Sequence, residues 1–153
     1  MDEQQLLKES SRKHGYWLML LLFLFCFRVG AQLLQHFFPV SFLPAFEDWQ
    51  SGALPYWVLV IFQIIIIVIC FRITYQFVTG TVQSNHRTGK LCLLFGIIYF
   101  SIMLFRMVAG LTLAPDHAWL GARIPTLFHL VLATFLLILG HYHFKFGKGS
   151  ARP

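Results

Sequence analysis

The stretch that decides the fold is PYWVLVIFQIIIIVICFRITYQFVT, residues 55–79, an apolar run whose only charged residue is Arg72. About 20 apolar residues in a helix, rising ~1.5 Å each, are enough to cross the ~30 Å hydrocarbon core of a bilayer. Three other stretches meet the same requirement. The predicted membrane spans are residues 16–38, 55–79, 91–113 and 124–144.

The composition agrees with this prediction. Of the 153 residues, 58% are apolar and only 12% are charged, and the mean hydropathy is +0.69. Soluble globular domains carry roughly twice that share of charged residues, about 25%. We therefore predict an all-α, integral membrane bundle of four transmembrane helices, with residues 1–153 forming a single membrane domain.

The basic residues outside the spans predict the orientation. Twelve Lys and Arg outnumber six Asp and Glu, but they are scattered at span ends and form no patch for nucleic acid. Basic residues favour the cytoplasmic side. Both termini are therefore predicted to be cytoplasmic, in a plasma or inner membrane. Eight basic residues lie on the predicted inner side and Arg123 alone lies on the other: Lys8, Arg12, Lys13, Arg87, Lys90, Lys145, Lys148 and Arg152.

Arg28 and Arg106 interrupt the first and third spans. Arg28 lies twelve residues after Tyr16 and ten before Phe38, which places it about 15 to 18 Å from either end. A cleaved signal peptide is the alternative for this span, but Arg28 and the apolar residues beyond it argue against that alternative. A cation near mid-bilayer indicates a functional position or a specific partner.

Other polar side chains fall in the same outer half of the spans, and no Asp or Glu occurs within any span. Gln32 lies one turn from Arg28, and Gln63 and His129 add to the zone from two other helices. Every helix then contributes to one depth zone. The candidate ligand-binding residues are Arg28, Gln32, Gln63, Arg106 and His129.

Four kinds of partner for the arginines remain open, and backbone carbonyls are the first. Glu47, Asp48 or Asp116 of the outer loops could fold back, with Gln32 and Gln63 serving as interhelical hydrogen bonds. Alternatively, an anionic lipid or a small molecule, such as a carboxylate or a quinone-like oxygen, could occupy an outward-opening pocket. A partner protein's carboxylate would instead make the chain an accessory subunit, and four spans form so small a bundle that we expect a homo- or hetero-oligomer.

The sequence favours a non-catalytic binding protein over an enzyme, since it contains no recognisable catalytic or metal-binding motif. No cofactor or metal is predicted. The alternative is a small membrane enzyme or redox subunit, binding one haem or a quinone, that uses His129 with Arg28 and Arg106. One version of this alternative places a single haem between His36 and His129.

The two halves of the sequence also show a limited internal similarity. Phe27-Arg28 and Phe105-Arg106 occupy similar places in the first and third spans, while Leu54-Pro55 and Ile124-Pro125 open the second and fourth. Chance resemblance between apolar helices is the favoured interpretation over a two-helix repeat. The connection at residues 80–89 has the composition of a solvated turn, and we assign it no function from sequence.

Overall fold

The computed structural model describes residues 3–50, 52, 54–113, 117 and 119–147. Four long helices account for most of them, and all four are long and apolar enough to cross a membrane. This confirms the predicted all-helical fold with four such helices. The elements are α1 (Glu3–Phe37), α2 (Tyr56–Thr79), α3 (His86–Thr112), α4 (Arg123–Phe146) and a short 3-10 helix (Phe46–Trp49).

α1 begins well before the predicted first span. It has 35 residues, a length of about 52 Å, so its first turns extend beyond the apolar stretch that starts at Tyr16. No proline or glycine breaks the helix before Gly15, and Lys13 pairs with Glu9 one turn away at 2.9 Å. The polar residues therefore continue the helix instead of forming a separate terminal segment.

The connection between α2 and α3 is held by local caps. Gly80 ends α2 with a φ of 73°, a left-handed conformation that favours glycine, and its N–H donates to carbonyls of the last turn. Asn85 caps α3, because its side chain accepts from the backbone N–H groups of Arg87 and Thr88. α3 consequently starts five residues earlier than the predicted third span.

The helices pack in the order α2, α1, α4, α3. The backbones of α1 and α2, of α1 and α4, and of α3 and α4 approach closely, and the last pair is the most extensive. Within the described residues, α2 and α3 do not approach one another, although they are consecutive in the chain. The 3-10 helix rests on α1 and α4 at one end of this row.

Glycines allow the close approach of α3 and α4. A Cβ added at Gly140 would lie 2.7 Å from the Leu93 backbone nitrogen, and one at Gly96 would lie 2.9 Å from a Leu137 methyl carbon. A Cβ at Gly89 would meet the backbone of Phe144. Small residues at such positions let two helical backbones touch.

The apolar core occupies one end of the bundle. Its buried side chains come from α1, α2 and α4, while α2 and α3 leave most of their apolar surface uncovered. Only 22% of the apolar stretch of α2 and 11% of that of α3 are buried. The core residues are Leu18, Leu22, Cys70, Phe77, Phe135, Leu139 and Tyr142.

We predict that Gly140→Ala lowers the thermal stability of the protein in detergent micelles. The added methyl meets backbone atoms of α3 that cannot rotate away, and overpacking of this kind costs about 1–3 kcal/mol. Gly30→Ala is the matched control, because nothing lies within 4 Å of its added Cβ. The control should be neutral or stabilising by up to about 1 kcal/mol. Equal melting temperatures for the two variants would contradict the glycine-mediated contact.

Candidate functional site

Arg28 is buried in α1 and bonds to the backbone. Its side chain is 5% exposed, and Nη2 donates to the Trp49 carbonyl at 2.7 Å. The 3-10 helix presents that carbonyl, and Trp49 is anchored by its own Nε1–H, which donates to the Pro44 carbonyl at 3.1 Å. The guanidinium carbon also lies 5.8 Å from the centre of the Phe128 ring, a cation–π distance.

Arg106 bonds in the same way in the second half of the chain. It is 3% exposed, and both Nε and Nη2 donate to the Trp119 carbonyl, at 3.1 and 2.6 Å. Its guanidinium carbon lies 4.2 Å from the Trp119 ring centre. Each arginine is therefore stabilised by the carbonyl of a tryptophan in the connection that follows its helix.

The two arginines differ in whether their buried N–H groups have hydrogen-bond acceptors. Arg28 Nε is buried and has no hydrogen-bond acceptor among the described residues, whereas the Nε of Arg106 is bonded. The amide nitrogen of Gln32, one turn from Arg28, is buried without an acceptor as well. Buried donors are nearly always paired in proteins, so two neighbouring exceptions call for an explanation.

Arg28, Gln63 and His129 line one cavity of about 250 Å³. They come from α1, α2 and α4, three helices that converge on it. Gln32 reaches the same group through its Oε1, which accepts a hydrogen bond from Gln63 Nε2 at 3.3 Å. The remaining walls are apolar, including Phe25, Leu59, Phe62, Ile66, Phe128 and Leu132.

His129 is oriented by a neighbour on α3. Its Nδ1 and the Tyr99 hydroxyl oxygen are 2.6 Å apart, a hydrogen-bond distance, and the two rings lie edge to face. This contact restrains the ring of His129 where it borders the cavity. α3 thus supports the site through Tyr99 without lining the cavity itself.

Four of the five predicted site residues form one connected group, and Arg106 is not among the cavity residues. Glu47 and Asp48 are exposed. Neither forms an ion pair with Arg28 or Arg106; in the described part of the chain the one ion pair joins Lys13 and Glu9. Asp116, the third suggested charge partner, lies outside the described residues.

The histidines suggested for haem have separate surroundings. His36 packs in an aromatic cluster, with ring centres 4.4 Å from Tyr56 and 4.9 Å from Phe46. His129 pairs with Tyr99 instead. Among the described residues, no group of three or more His, Cys, Asp and Glu side chains could hold a metal ion.

Backbone carbonyls were among the expected partners of the arginines, but the sequence did not indicate which ones, because a backbone acceptor has no residue type of its own. One sequence signal could have found them. Trp49 lies six residues before Pro55, and Trp119 lies six residues before Pro125, the two prolines of the internal similarity. The two halves therefore share Phe27-Arg28 and Phe105-Arg106, followed in each half by a tryptophan whose carbonyl bonds the arginine and by a proline at the start of the next helix.

The cavity offers hydrogen-bond donation from a fixed cation, framed by apolar walls. Such an arrangement suits recognition of an acceptor group attached to an apolar body. No protein-family model, curated protein or solved structure matches this chain. The function is therefore inferred from the residues of the cavity and their contacts.

We predict that Arg106→Lys destabilises the fold by about 1–3 kcal/mol, because a lysine cannot reproduce two donors to one carbonyl together with the stacked guanidinium. Arg123→Lys, at an exposed position of α4, is the matched control and should change stability by less than about 0.5 kcal/mol. Thermal unfolding monitored by circular dichroism in detergent measures both. If the two variants unfold at the same temperature, the Arg106 contact is not a structural one.

Proposed function

We propose that this chain is a four-span integral membrane protein, with both termini in the cytoplasm, that binds an anionic lipid or small amphiphilic molecule at the Arg28 cavity. It acts by binding and does not catalyse a reaction. Its site is Arg28, Gln32, Gln63 and His129, with Arg106 as the structural counterpart in the second half. The plasma or inner membrane is the proposed location.

The exposed apolar surface supports insertion into a membrane. Large side chains such as Phe62 and Ile69 on α2, and Phe95 and Phe105 on α3, are each more than half exposed. A soluble protein rarely leaves contiguous apolar surface of this extent uncovered. Lipid chains would cover it at no cost, because they are as apolar as the side chains themselves.

The nature of the free polar atoms supports an anionic ligand. Arg28 Nε and Gln32 Nε2 are donors only, so they can be satisfied only by a group that accepts hydrogen bonds. An anionic oxygen would also neutralise the arginine, for which the described residues supply no carboxylate. The cavity volume, about 250 Å³, is below the ~300 to ~1,000 Å³ usual for small-molecule sites. A headgroup or a small acid fits this space better than a large ligand.

The comparison of the two arginines carries the proposal. Both are buried and both bond a tryptophan carbonyl, but Arg28 lines the 250 Å³ cavity, which Arg106 does not, and Arg28 keeps a buried donor without an acceptor among the described residues. A purely structural arginine would be satisfied as fully as Arg106. The lining also favours binding over catalysis, because His129 is its only general acid–base candidate and no nucleophile accompanies it.

We predict that the full-length protein, extracted from membranes in mild detergent, carries an anionic amphiphile that native mass spectrometry detects as a constant added mass. Arg28→Gln should weaken its retention by about 10- to 100-fold, since a hydrogen bond to a charged group is worth about 1.5–3 kcal/mol. Arg106→Gln is the matched control: it should unfold at a lower temperature but retain the added mass.

Equal retention by wild type and Arg28→Gln would refute the proposed site. A copurifying protein that is lost with Arg28→Gln, in place of a small adduct, would instead identify the chain as an accessory subunit whose partner supplies the carboxylate. Chemical crosslinking in membranes tests the accompanying expectation of a homo- or hetero-oligomer. Detection of monomer alone would contradict that expectation.

The proposed orientation predicts a labelling pattern. In a background with Cys26, Cys70 and Cys92 replaced by alanine, a membrane-impermeant maleimide added to intact cells should label Ser41→Cys and not Gln83→Cys. Both positions are exposed, at opposite ends of the bundle. Permeabilised cells provide the control, in which both should react. The reverse pattern would place the termini on the outer side.

A further inference from the structure

A second cavity lies at the opposite end of the bundle from Arg28. Its volume is about 400 Å³, within the range of small-molecule sites. It is formed where the end of α2, the connection to α3 and the last turns of α4 meet. Its lining combines four apolar side chains with polar ones from α2, the connection, α3 and α4. The polar lining residues are Gln76, Thr81, Gln83, Thr88 and His143.

Hydrogen bonds within the protein hold the walls of this cavity in place without a ligand. Ser84 Oγ donates to the Phe146 carbonyl at 3.0 Å, and the Asn85 N–H donates to His143 Nδ1 at 3.1 Å. Gly80 and Thr81 are bonded through their N–H groups to carbonyls at the end of α2. The connection is therefore tied to both α2 and α4, and a preorganised site of this kind binds without an ordering cost.

His143 supplies a hydrogen-bond donor, and its contact with Asn85 determines which ring nitrogen carries the proton. It is only 8% exposed, and because Nδ1 accepts the Asn85 N–H, the neutral ring carries its proton on Nε2. The Gln83 amide and the Thr88 hydroxyl add further groups that can donate. All three line the same space, so a ligand there meets donors from the connection, from α3 and from α4.

Cationic residues predominate at this end of the bundle, where Glu9 of α1 is paired with Lys13. No Asp or Glu occurs in α2, in the connection, in α3 or in α4. Arg72 and Arg87 each directly precede a lining residue, and both are exposed. The Lys8 side chain packs against Gly80 at the end of α2. The field at this end therefore favours an anion.

We propose that this second cavity binds a phosphate group. Phosphate accepts hydrogen bonds on every side, which suits the neutral donors among the lining residues and the excess of cationic residues at this end of the bundle. The phosphate could belong to a lipid headgroup at the cytoplasmic surface or to a soluble phosphate. Only the lipid source depends on the proposed membrane insertion, and the site is independent of Arg28.

The experiment uses the full-length protein in detergent and three probes: dioctanoyl phosphatidic acid, the matching phosphate-free diacylglycerol, and inorganic phosphate at millimolar concentration. Binding is followed by ligand-induced change in melting temperature and by native mass spectrometry. Phosphatidic acid should stabilise the protein and diacylglycerol should not. Stabilisation by inorganic phosphate as well identifies a soluble phosphate as sufficient; its absence identifies the lipid headgroup.

Two variants locate the binding. The double variant Gln83→Leu/Thr88→Val removes donors at exposed positions of the cavity and should weaken phosphate binding at least about tenfold. Gln5→Leu, exposed on α1, is the matched control and should bind as wild type does. In an Arg28→Gln background, which removes the contribution of the first cavity, replacing Gln83 and Thr88 should weaken the remaining phosphate binding by the same factor.

Failure of both phosphate probes to bind would overturn this inference, as would equal binding of diacylglycerol and phosphatidic acid. Undiminished binding by the double variant would overturn it too. If Arg28→Gln lost the probe and the double variant kept it, the phosphate would occupy the Arg28 cavity. That result would reject the second site while supporting the first.

Discussion

A buried arginine without a carboxylate needs other hydrogen-bond acceptors, and in this protein the backbone of the connections supplies them. Arg28 and Arg106 each bond the carbonyl of a tryptophan, Trp49 or Trp119. Carbonyls inside helices already accept a hydrogen bond from their own helix, so the carbonyls of the connections are the more available acceptors. The chain after each arginine helix therefore folds back over it before the next helix starts.

The two halves share this arrangement but differ in packing, and the difference produces the cavity. In the second half, Gly96 and Gly140 bring α3 and α4 into backbone contact. In the first half, α1 packs against both α2 and α4, so side chains of three helices surround the space beside Arg28. Among the described residues, Arg106 thus has no buried nitrogen without an acceptor, whereas Arg28 keeps its Nε donor for an external acceptor.

The two cavities lie at opposite ends and have different chemistry. The first combines a buried cation with mostly apolar walls, which favours an anionic head on an apolar body. The second has neutral donors in its lining and no acidic residue in the helices α2, α3 and α4 or in the connection from α2 to α3, which favours a phosphate. In the proposed membrane, the first would lie within the outer half of the bilayer and the second near the inner headgroups, so that lipid is a natural source of ligands for each.

The sequence by itself determined four long apolar helices and the positions of the polar residues within them, because length and apolarity are properties of each segment alone. Arg28, Gln63 and His129 could also be named, since polar residues in apolar helices are rare. Helix neighbours could not be predicted: α2 and α3 are apolar on nearly all sides, so no stripe indicates a partner. Only the tertiary structure decided that α4 lies between α1 and α3. It also decided that Arg106 Nε has a hydrogen-bond acceptor and that Arg28 Nε has none among the described residues. Those outcomes depend on backbone carbonyls and on contacts between distant segments, which no residue type records.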